Sequence, residues 1–323
     1  MSPAAAPLSY LRTFGPAADP ATALIWGALA LSVLVVLVVA ILVLVGAVAR
    51  RGPATPGAIG SAPVERGGHG MAWVWIGTGV SCVALAGVLG WTFFTLGAVG
   101  EPATAHPLVI EVTARQWWWR VAYPNDDASQ TIVTANEIHI PIGRPVRIKL
   151  IGADVIHSFW VPALAGKTDA IPGQTNSMWL QADRPGVYRG QCAEYCGLQH
   201  AKMAFEVVAE PPAAFEAWRR AQLLDAPVPV SPSALQGQQV FVARCGACHA
   251  VRGSGADDGQ AGPDLTHLMS RATLAAGALP NTPGGLSGWI ANPQAIKPGT
   301  TMPTPYLSGP ELAAVRGYLV TLR

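Results

Sequence analysis

Two long stretches near the start of the chain contain no charged residue. Residues 24–48 are dominated by Leu, Val, Ala and Ile, and residues 71–99 carry Trp73, Trp75 and Trp91 toward their ends. At about 1.5 Å per residue, either stretch is long enough to cross a hydrocarbon layer of about 30 Å as a helix. Tryptophans in such positions are typical of a membrane interface. The pattern predicts a hairpin of two transmembrane helices.

The charged residues around these stretches predict their orientation. The loop at residues 49–70 carries three arginines against one acid, Glu65, and basic residues favour the cytoplasmic side of short loops. We therefore expect a cytoplasmic loop, with the N-terminal tail at residues 1–23 and the chain after the second helix outside. A cleaved signal peptide is disfavoured because the first apolar stretch exceeds the usual apolar core of such a signal.

The pattern changes after the second apolar stretch. Residues 107–209 consist of short β-branched runs, such as LVIEVTA, RVAY and PVRIKLIG, separated by Pro and Gly turns. Such runs predict a small all-β sandwich. The proline-rich residues 210–232 contain AAFEAWRRAQLL, which predicts a short amphipathic helix. Because prolines stiffen both ends, we interpret this segment as a linker to a further domain at residues 233–323.

Composition agrees with a membrane protein. Only 12% of the residues are charged, and the mean hydropathy is +0.33. The 21 basic and 19 acidic residues give a net charge of +2, without any basic run, so we expect a lipid bilayer as a partner and no nucleic acid.

The stretch GQCAEYCGLQHAKM concentrates metal-binding side chains, namely Cys192, Cys196, His200 and Met203. Thiolate, imidazole and thioether ligands together favour copper, whereas zinc sites are usually built from Cys and His without Met. A single blue-copper ion would use one Cys with two His, but here there are two Cys. His157, in IHSFWVP, supplies a second imidazole. The alternative is a disulfide between the two cysteines, in which the other side chains have no role.

These residues, together with the segments KTDAIPG and RPGVYRG, resemble the binuclear copper site, CuA, of cytochrome c oxidase subunit II. The resemblance implies a cupredoxin-like fold for residues 107–209. It also implies that Cys192 and Cys196 bridge two copper ions, while His157 and His200 each bind one. A thioredoxin-like copper chaperone also carries two cysteines at this spacing and a distant histidine, but it does not need the other ligands of this loop.

The same resemblance assigns three further roles. Met203 and the backbone carbonyl of Glu194 would be weak axial copper ligands, and the carboxylate of Glu194 would bind magnesium at the interface with subunit I. In the segment QWWWR, Trp117 would lie on the path by which electrons reach copper. Strand alternation predicts more simply that Trp117 and Trp119 pack on one sheet face and Trp118 on the other.

A second cofactor motif, CGACH, begins at Cys245. It is the C-x-x-C-H signature of covalent c-type haem, in which Cys245 and Cys248 are bonded to the porphyrin and His249 binds the iron. The alternative is a redox-active cysteine pair. The preceding LQGQQVFVARC has apolar residues at helical spacing and predicts the helix that opens this domain.

A second axial ligand of the haem iron is also predicted. Met302, in KPGTTMPTP, lies in a Pro-rich loop like the one in which class I cytochromes c carry their axial Met, and a thioether raises the reduction potential. Met269 and His267 are competitors. The segments GPDL and GPELAAVRGYLVTL resemble the haem-edge segment and the closing helix of those cytochromes, which implies an all-α class I cytochrome c domain at residues 233–323.

The order of helix hairpin, sandwich and cytochrome resembles subunit II of caa-type cytochrome c oxidases. It implies a multidomain protein of the bacterial inner membrane, with both termini and both cofactor domains on the outer side. An external donor would reduce haem c, which reduces CuA. Electrons then reach the haem a and copper centres of subunit I, where oxygen is reduced and protons are pumped. Subunit III is a further implied partner, and the donor is a cytochrome bc complex, a soluble cytochrome c or another quinol-oxidising complex.

The same residues bear on other functions. A quinol oxidase subunit II lacks the copper ligands, and nitrous oxide reductase needs a large His-rich domain that this chain does not contain. A membrane-tethered CuA and haem c carrier, or a copper-delivery protein, would act without an oxidase core. Many subunits II carry a Glu for proton uptake near the second helix; here only Glu65 and His69 could take that role.

Overall fold

The computed structural model describes residue 8, residues 10–48, 70–100 and 102, and residues 107–323. Most of the predicted cytoplasmic loop, with Glu65 and His69, lies outside the described residues, as does the start of the N-terminal tail. The chain divides into two compact units, Pro20–Gly100 and a larger one formed by Met1–Asp19 with Glu101–Arg323.

Two long apolar helices form the described part of the smaller unit. Helix α1 spans Asp19–Val48 and helix α2 spans Gly70–Gly100. Both are long and apolar enough to cross a membrane, and most of their large side chains are exposed. An apolar surface of this kind is suited to lipid rather than water. The prediction of two membrane-length helices is confirmed.

The first half of the larger unit is a β-sandwich, as predicted. The sheets have the strand orders β3-β2-β1-β5-β8 and β4-β10-β9-β6-β7. The strands are β1 Leu108–Arg115, β2 Trp118–Tyr123, β3 Ile132–Ala135, β4 Glu137–Pro141, β5 Val146–Gly152, β6 His157–Trp160, β7 Thr168–Ala170, β8 Thr175–Leu180, β9 Gly186–Cys192 and β10 Ala204–Glu210. Along β1 every second side chain, Ile110, Val112 and Ala114, is fully buried, as the period of a strand requires.

The second half of the larger unit is a small helical domain, as predicted for a cytochrome c. Its elements are α4 Pro232–Arg244, α5 Pro283–Ala291, α6 Pro293–Ile296 and α7 Gly309–Leu319, with the two-residue strands β11 Thr273–Leu274 and β12 Leu279–Pro280. Ser308 and Glu311 form a capping box that fixes the start of α7. Helices α4 and α7 cross closely at Gly237, where a Cβ would overlap the carbonyl oxygen of Ala314.

The linker is more ordered than a spacer. Its helix α3, Pro212–Gln222, buries Phe215 in the core of the sandwich. At its end, the carbonyl oxygens of Gln222 and Leu224 each accept a hydrogen bond of 2.6 Å from the guanidinium of Arg252 in the helical domain. The linker therefore adheres to both domains.

Where α3 meets the sandwich, His139 is held between two carboxylates. Its Nε2 lies 3.0 Å from Glu137 and its Nδ1 3.1 Å from Glu210, and its ring stacks on Trp218 at 4.2 Å. Burial by itself lowers the pKa of His139, but the hydrogen bonds to both carboxylates outweigh it and raise the pKa above the usual 6.5. Glu137 also accepts a hydrogen bond from the Ala272 amide and lies near the charge of Arg271.

This cluster predicts a pH-dependent contribution to stability. Because the pKa of His139 is higher in the folded state, its contribution is complete below about pH 6.5 and is lost as the pH rises through the folded-state pKa. Replacing it by Gln, which keeps amide donors but no charge, should cost about 1–3 kcal/mol at about pH 6 and less at about pH 9. Thermal unfolding midpoints of the full chain in detergent at both pH values test this.

The pair of Glu216 and Arg219 on α3 provides the control, since its side chains are 3.0 Å apart and only partly buried. Glu216→Gln should change the free energy of unfolding by less than about 1 kcal/mol at either pH. A cost of His139→Gln that is equal at both pH values would contradict the prediction.

Candidate functional site

Strand pairing brings the predicted copper ligands together. His157 opens β6 and Cys192 closes β9, and these antiparallel strands are neighbours in the second sheet. After β9 the chain forms a loop that carries Cys196 and a 3-10 helix with His200, and Met203 directly precedes β10. Residues that lie far apart in the sequence therefore meet in one cluster.

The distances within this cluster are short. The sulfur of Cys192 lies 3.8 Å from the sulfur of Cys196 and 3.8 Å from Nδ1 of His157. The sulfur of Cys196 lies 3.6 Å from Nδ1 of His200 and 3.8 Å from Sδ of Met203. One imidazole therefore lies beside each thiol, and the thioether of Met203 lies beside the thiol of Cys196.

This arrangement fits a pair of thiolate-bridged metal ions. Both cysteines are free thiols, and two sulfurs 3.8 Å apart can both lie about 2.3 Å from one ion, a usual metal–thiolate distance. The backbone carbonyl of Glu194 lies 3.3 Å from the sulfur of Cys192 and offers a further oxygen ligand. Thiolate, imidazole and thioether form a soft donor set that favours copper.

The two thiols differ in acidity. The hydrogen bond between the two thiols lowers the pKa of Cys192, and the same hydrogen bond together with burial raises the pKa of Cys196. Since thiolates rather than thiols bind metals, one sulfur of the pair is prepared for a first ion.

Side chains around the cluster fix its orientation. Asp154 Oδ1 lies 2.7 Å from Nε2 of His157 and accepts a hydrogen bond from it, which turns Nδ1 toward the sulfur of Cys192. The carbonyl oxygen of Cys196 accepts hydrogen bonds from Gln116 Nε2 at 2.7 Å and from the Trp117 indole at 2.9 Å. Such supporting hydrogen bonds hold metal ligands in one geometry.

The carboxylate of Glu194, predicted to bind magnesium, lies at the surface. It is 3.5 Å from Nζ of Lys167, which also lies 3.2 Å from Asp169. The carboxylate is accessible to an ion from outside the chain. Lys167 would have to move away from Glu194 for a magnesium ion to bind there.

The side chains of the three consecutive tryptophans, of which Trp117 precedes β2, lie on alternating sides of the chain. Trp117 and Trp119 lie in the sandwich core, and Trp118 packs against Ala135 and Ala276. The indole of Trp119 packs edge-on against the imidazole of His157. Trp117 lines the wall of a cavity that is separate from the copper-ligand cluster.

That cavity lies mainly in the helical domain and has a volume of about 240 Å³. Its lining is mostly apolar and contains the predicted haem-binding residues, Cys245, Cys248, His249 and Met302. Two cysteines, a histidine and a methionine around one large apolar cavity fit a covalently bound haem c with two axial ligands. Trp117 and Trp118 of the sandwich form part of the same wall.

His249 is oriented for binding iron. Its Nδ1–H donates a 2.8 Å hydrogen bond to the carbonyl oxygen of Pro263, which leaves Nε2 available. Burial lowers the pKa of His249 and favours the neutral imidazole that a metal binds. Gly262 packs against this ring so closely that a Cβ would overlap it.

The competing axial ligands have other contacts. His267 lies with its two ring nitrogens 3.0 Å from the carbonyl oxygens of Arg323 and Leu224. Met269 packs into the apolar core of the domain, and its amide donates to the carbonyl oxygen of Leu322. These contacts favour Met302, which lines the cavity.

Sequence reasoning did not identify three residues of the site. Asp154 precedes His157 by three positions, a spacing that could have suggested an orienting carboxylate. Gln116 had no signal beyond its place beside Trp117. Lys297 donates to the carbonyl oxygen of Trp117 from 180 positions away, and no local pattern indicates that contact.

Comparisons with known proteins find matches to both domains of the larger unit. Residues 125–210 match the family described as cytochrome c oxidase subunit II, periplasmic domain, and residues 234–323 match the cytochrome c family. The chain is 41% identical over 216 residues to cytochrome c oxidase subunit 2 of Alkalihalophilus pseudofirmus, and 34% identical over 227 residues to that of Bacillus sp. strain PS3.

These alignments cover 66% and 67% of this chain and 61% and 62% of the relatives. The chain thus spans about three fifths of the length of the curated relatives it matches. A solved structure, the periplasmic domain of subunit II of cytochrome oxidase from Bradyrhizobium japonicum, is 32% identical. It covers 38% of this chain and 96% of that chain, with a TM-score of 0.35.

The role of Asp154 generates a prediction. Asp154→Asn leaves the shape of the side chain but removes the carboxylate that orients His157, so copper affinity should fall about 10–100-fold. Copper retained by the full chain against a series of chelators measures this. Asp126→Asn, on an exposed turn of the same domain, is the control and should retain copper as the unchanged protein does. Equal retention by both variants would contradict an orienting role.

Proposed function

Since the chain belongs to the cytochrome c oxidase subunit II family and carries a cytochrome c domain, we propose that it is the subunit through which electrons enter a bacterial caa-type oxidase. Electrons from an external donor would pass through haem c and CuA to subunit I. There oxygen is reduced to water and protons are pumped. The observation that carries the proposal is Trp117, which lines the haem cavity and also donates a hydrogen bond to the backbone of Cys196.

Each cofactor has a set of residues to hold it. Two copper ions would be held by Cys192 and Cys196, by His157 and His200, and more weakly by Met203 and the backbone carbonyl of Glu194. Haem c would be held by Cys245, Cys248, His249 and Met302. When bound, the copper pair and haem c would each supply a one-electron redox centre.

The protein's own contribution is a dry and rigid surrounding. The side chains of His157 and Met203 have no solvent exposure, and the two cysteines are 2% exposed. Asp154 fixes His157, and the edge of Trp119 packs against the same imidazole. Because ligands that are held by packing move little, little has to reorganise when an electron arrives or leaves.

The proposed setting is the bacterial inner membrane, with subunits I and III as partners and the cofactor domains on the outer side. The two apolar helices support the membrane location. The N-terminal tail supports its own placement on the outer side, because it hydrogen-bonds the sandwich. The amide of Phe14 donates to the carbonyl oxygen of Ala163 at 2.8 Å, and the amide of Asp183 donates to that of Phe14 at 2.9 Å. The electron donor would be a cytochrome bc complex, a soluble cytochrome c or another quinol-oxidising complex. The proposal also includes magnesium bound by the carboxylate of Glu194.

Spectroscopy of the purified membrane complex tests the copper assignment. We expect two copper ions per chain and a mixed-valence dicopper signal that is lost in Cys196→Ser, because one thiolate alone cannot bridge symmetrically. Covalent haem c should be retained. Cys82→Ser, on the exposed face of α2, is the matched control and should keep the signal. One copper ion per chain in the unchanged protein would contradict the assignment.

Purification also separates this proposal from a tethered electron carrier or a copper-delivery protein. An oxidase subunit should co-purify with a large haem-containing subunit of many helices, whereas a carrier that acts alone should not.

The haem iron offers a further prediction. Met302→Leu removes the thioether, so the optical spectrum should lose its low-spin form and the reduction potential of haem c should fall. Met269→Leu, in the core of the same domain, should leave both unchanged. If the Met269 variant changed the spectrum and the Met302 variant did not, the assignment of the axial ligand would be wrong.

A further inference from the structure

The helical domain contacts the copper loop directly. On the loop, Gln199 and Lys202 flank His200, and their side chains donate to the carbonyl oxygens of Pro298 at 2.7 Å and Ile296 at 2.6 Å. Leu198 and Trp117 pack against Gly299 of the same segment. Residues 296–299, which we name the docking segment, therefore lie on the loop that carries the copper ligands.

Lys297 is the buried residue of the docking segment. Its side chain is 2% exposed, and its Nζ donates to the carbonyl oxygen of Trp117 at 2.8 Å and to that of Ala275 at 3.1 Å. One acceptor belongs to the sandwich and the other to the helical domain. Burying a lysine between carbonyl oxygens is costly, since the ammonium gives up its water without gaining a carboxylate. Its two hydrogen bonds join one carbonyl oxygen of each domain, so they depend on how the domains are positioned.

Two backbone contacts extend the interface beyond Lys297. The amide of Ala204 donates to the carbonyl oxygen of Ala276 at 3.0 Å, and the amide of Ala272 donates to Glu137 at 2.9 Å. Neither amide bonds to the lysine side chain. They therefore report whether the domains are docked.

The docking segment is also linked to the haem cavity. Gln294 donates to the carbonyl oxygens of Thr300 and Met302 at 2.8 and 2.9 Å, and it accepts from the amide of Gly299 at 2.9 Å. The loop that presents Met302 to the cavity is thus held in one piece with the residues that touch the copper loop.

We infer that Lys297 is a positioning residue that locks the helical domain onto the sandwich, with the haem cavity closed by Trp117 and Trp118. This deepens the proposed function and rests on it for its electron-transfer consequence alone. The locked face covers Trp117, so an external electron donor cannot reach this indole directly. Without the lock, both cofactor sites would remain intact but would no longer be held at a fixed separation.

Hydrogen–deuterium exchange of the full chain tests the lock without any electron transfer. In Lys297→Met, peptides that contain the amides of Ala204 and Ala272 should exchange at least about tenfold faster, because domain separation exposes them. Lys149→Met is the matched control, since Lys149 pairs with Glu111 on the sandwich at 3.4 Å and is partly exposed. It should leave both peptides unchanged.

A second variant covers the case in which Lys297→Met does not fold. Lys202 is exposed, and Lys202→Met removes its hydrogen bond to Ile296 and a positive charge near Lys297, but leaves both hydrogen bonds of Lys297 in place. It should accelerate exchange at the same two amides by a smaller factor. Unchanged exchange at both amides in Lys202→Met and in any folded Lys297→Met would overturn the inference.

Flash-induced electron transfer in the complex then separates the two proposals. With copper and haem contents unchanged, transfer from haem to copper should slow about tenfold or more in Lys297→Met and not in Lys149→Met. If exchange accelerates but no transfer occurs even in the unchanged protein, the lock stands and the proposed function fails. If transfer is normal in the unchanged protein and equally fast in Lys297→Met, the positioning role fails and the proposed function stands.

Discussion

The loop between β9 and β10 takes part in both the metal-ligand cluster and the contact with the helical domain. Its inner side presents sulfur and imidazole ligands to each other, and its outer side carries the side chains that meet the helical domain. The loop is held at its base by the amide of Cys192, which donates to the carbonyl oxygen of Met203 at 3.0 Å. At its middle, Gln116 and Trp117 donate to the carbonyl oxygen of Cys196. A change in the shape of this loop would disturb the metal cluster and the domain contact together.

What the sequence could predict follows from how local each signal is. The ligands near Cys192 and the haem residues near Cys245 lie within a few positions of each other, so spacing and chemistry together identify them. The two membrane-length helices follow from uncharged stretches that need no partner to be recognised. By contrast, Lys297 acts on Trp117 through a contact that exists only after both domains have folded. Its own surroundings in the sequence contain Pro, Gly and Thr and indicate only a loop.

The linker illustrates the same limit. Its prolines and its amphipathic pattern correctly predict a helix, but they do not reveal that Phe215 completes the core of the sandwich. Nor do they reveal that Arg252 and His267 hold the carbonyl oxygens at the end of that helix. His267, a competitor for the iron by composition, is used instead to fasten the linker. Only the three-dimensional contacts distinguish these uses of one histidine.

The covalent linker between the sandwich and the helical domain explains how a polar contact can keep the two domains together. Between α3 and α4 the connection at residues 223–231 spans at most about 30 Å, so the helical domain is always near the sandwich. Docking is then intramolecular, and it needs far less free energy than the association of separate proteins. The covalent connection keeps the two domains close together. The contacts at the interface are therefore needed mainly to fix how one domain is oriented on the other. A buried lysine with one acceptor in each domain suits that task, because its hydrogen bonds are satisfied only when both carbonyl oxygens are correctly placed.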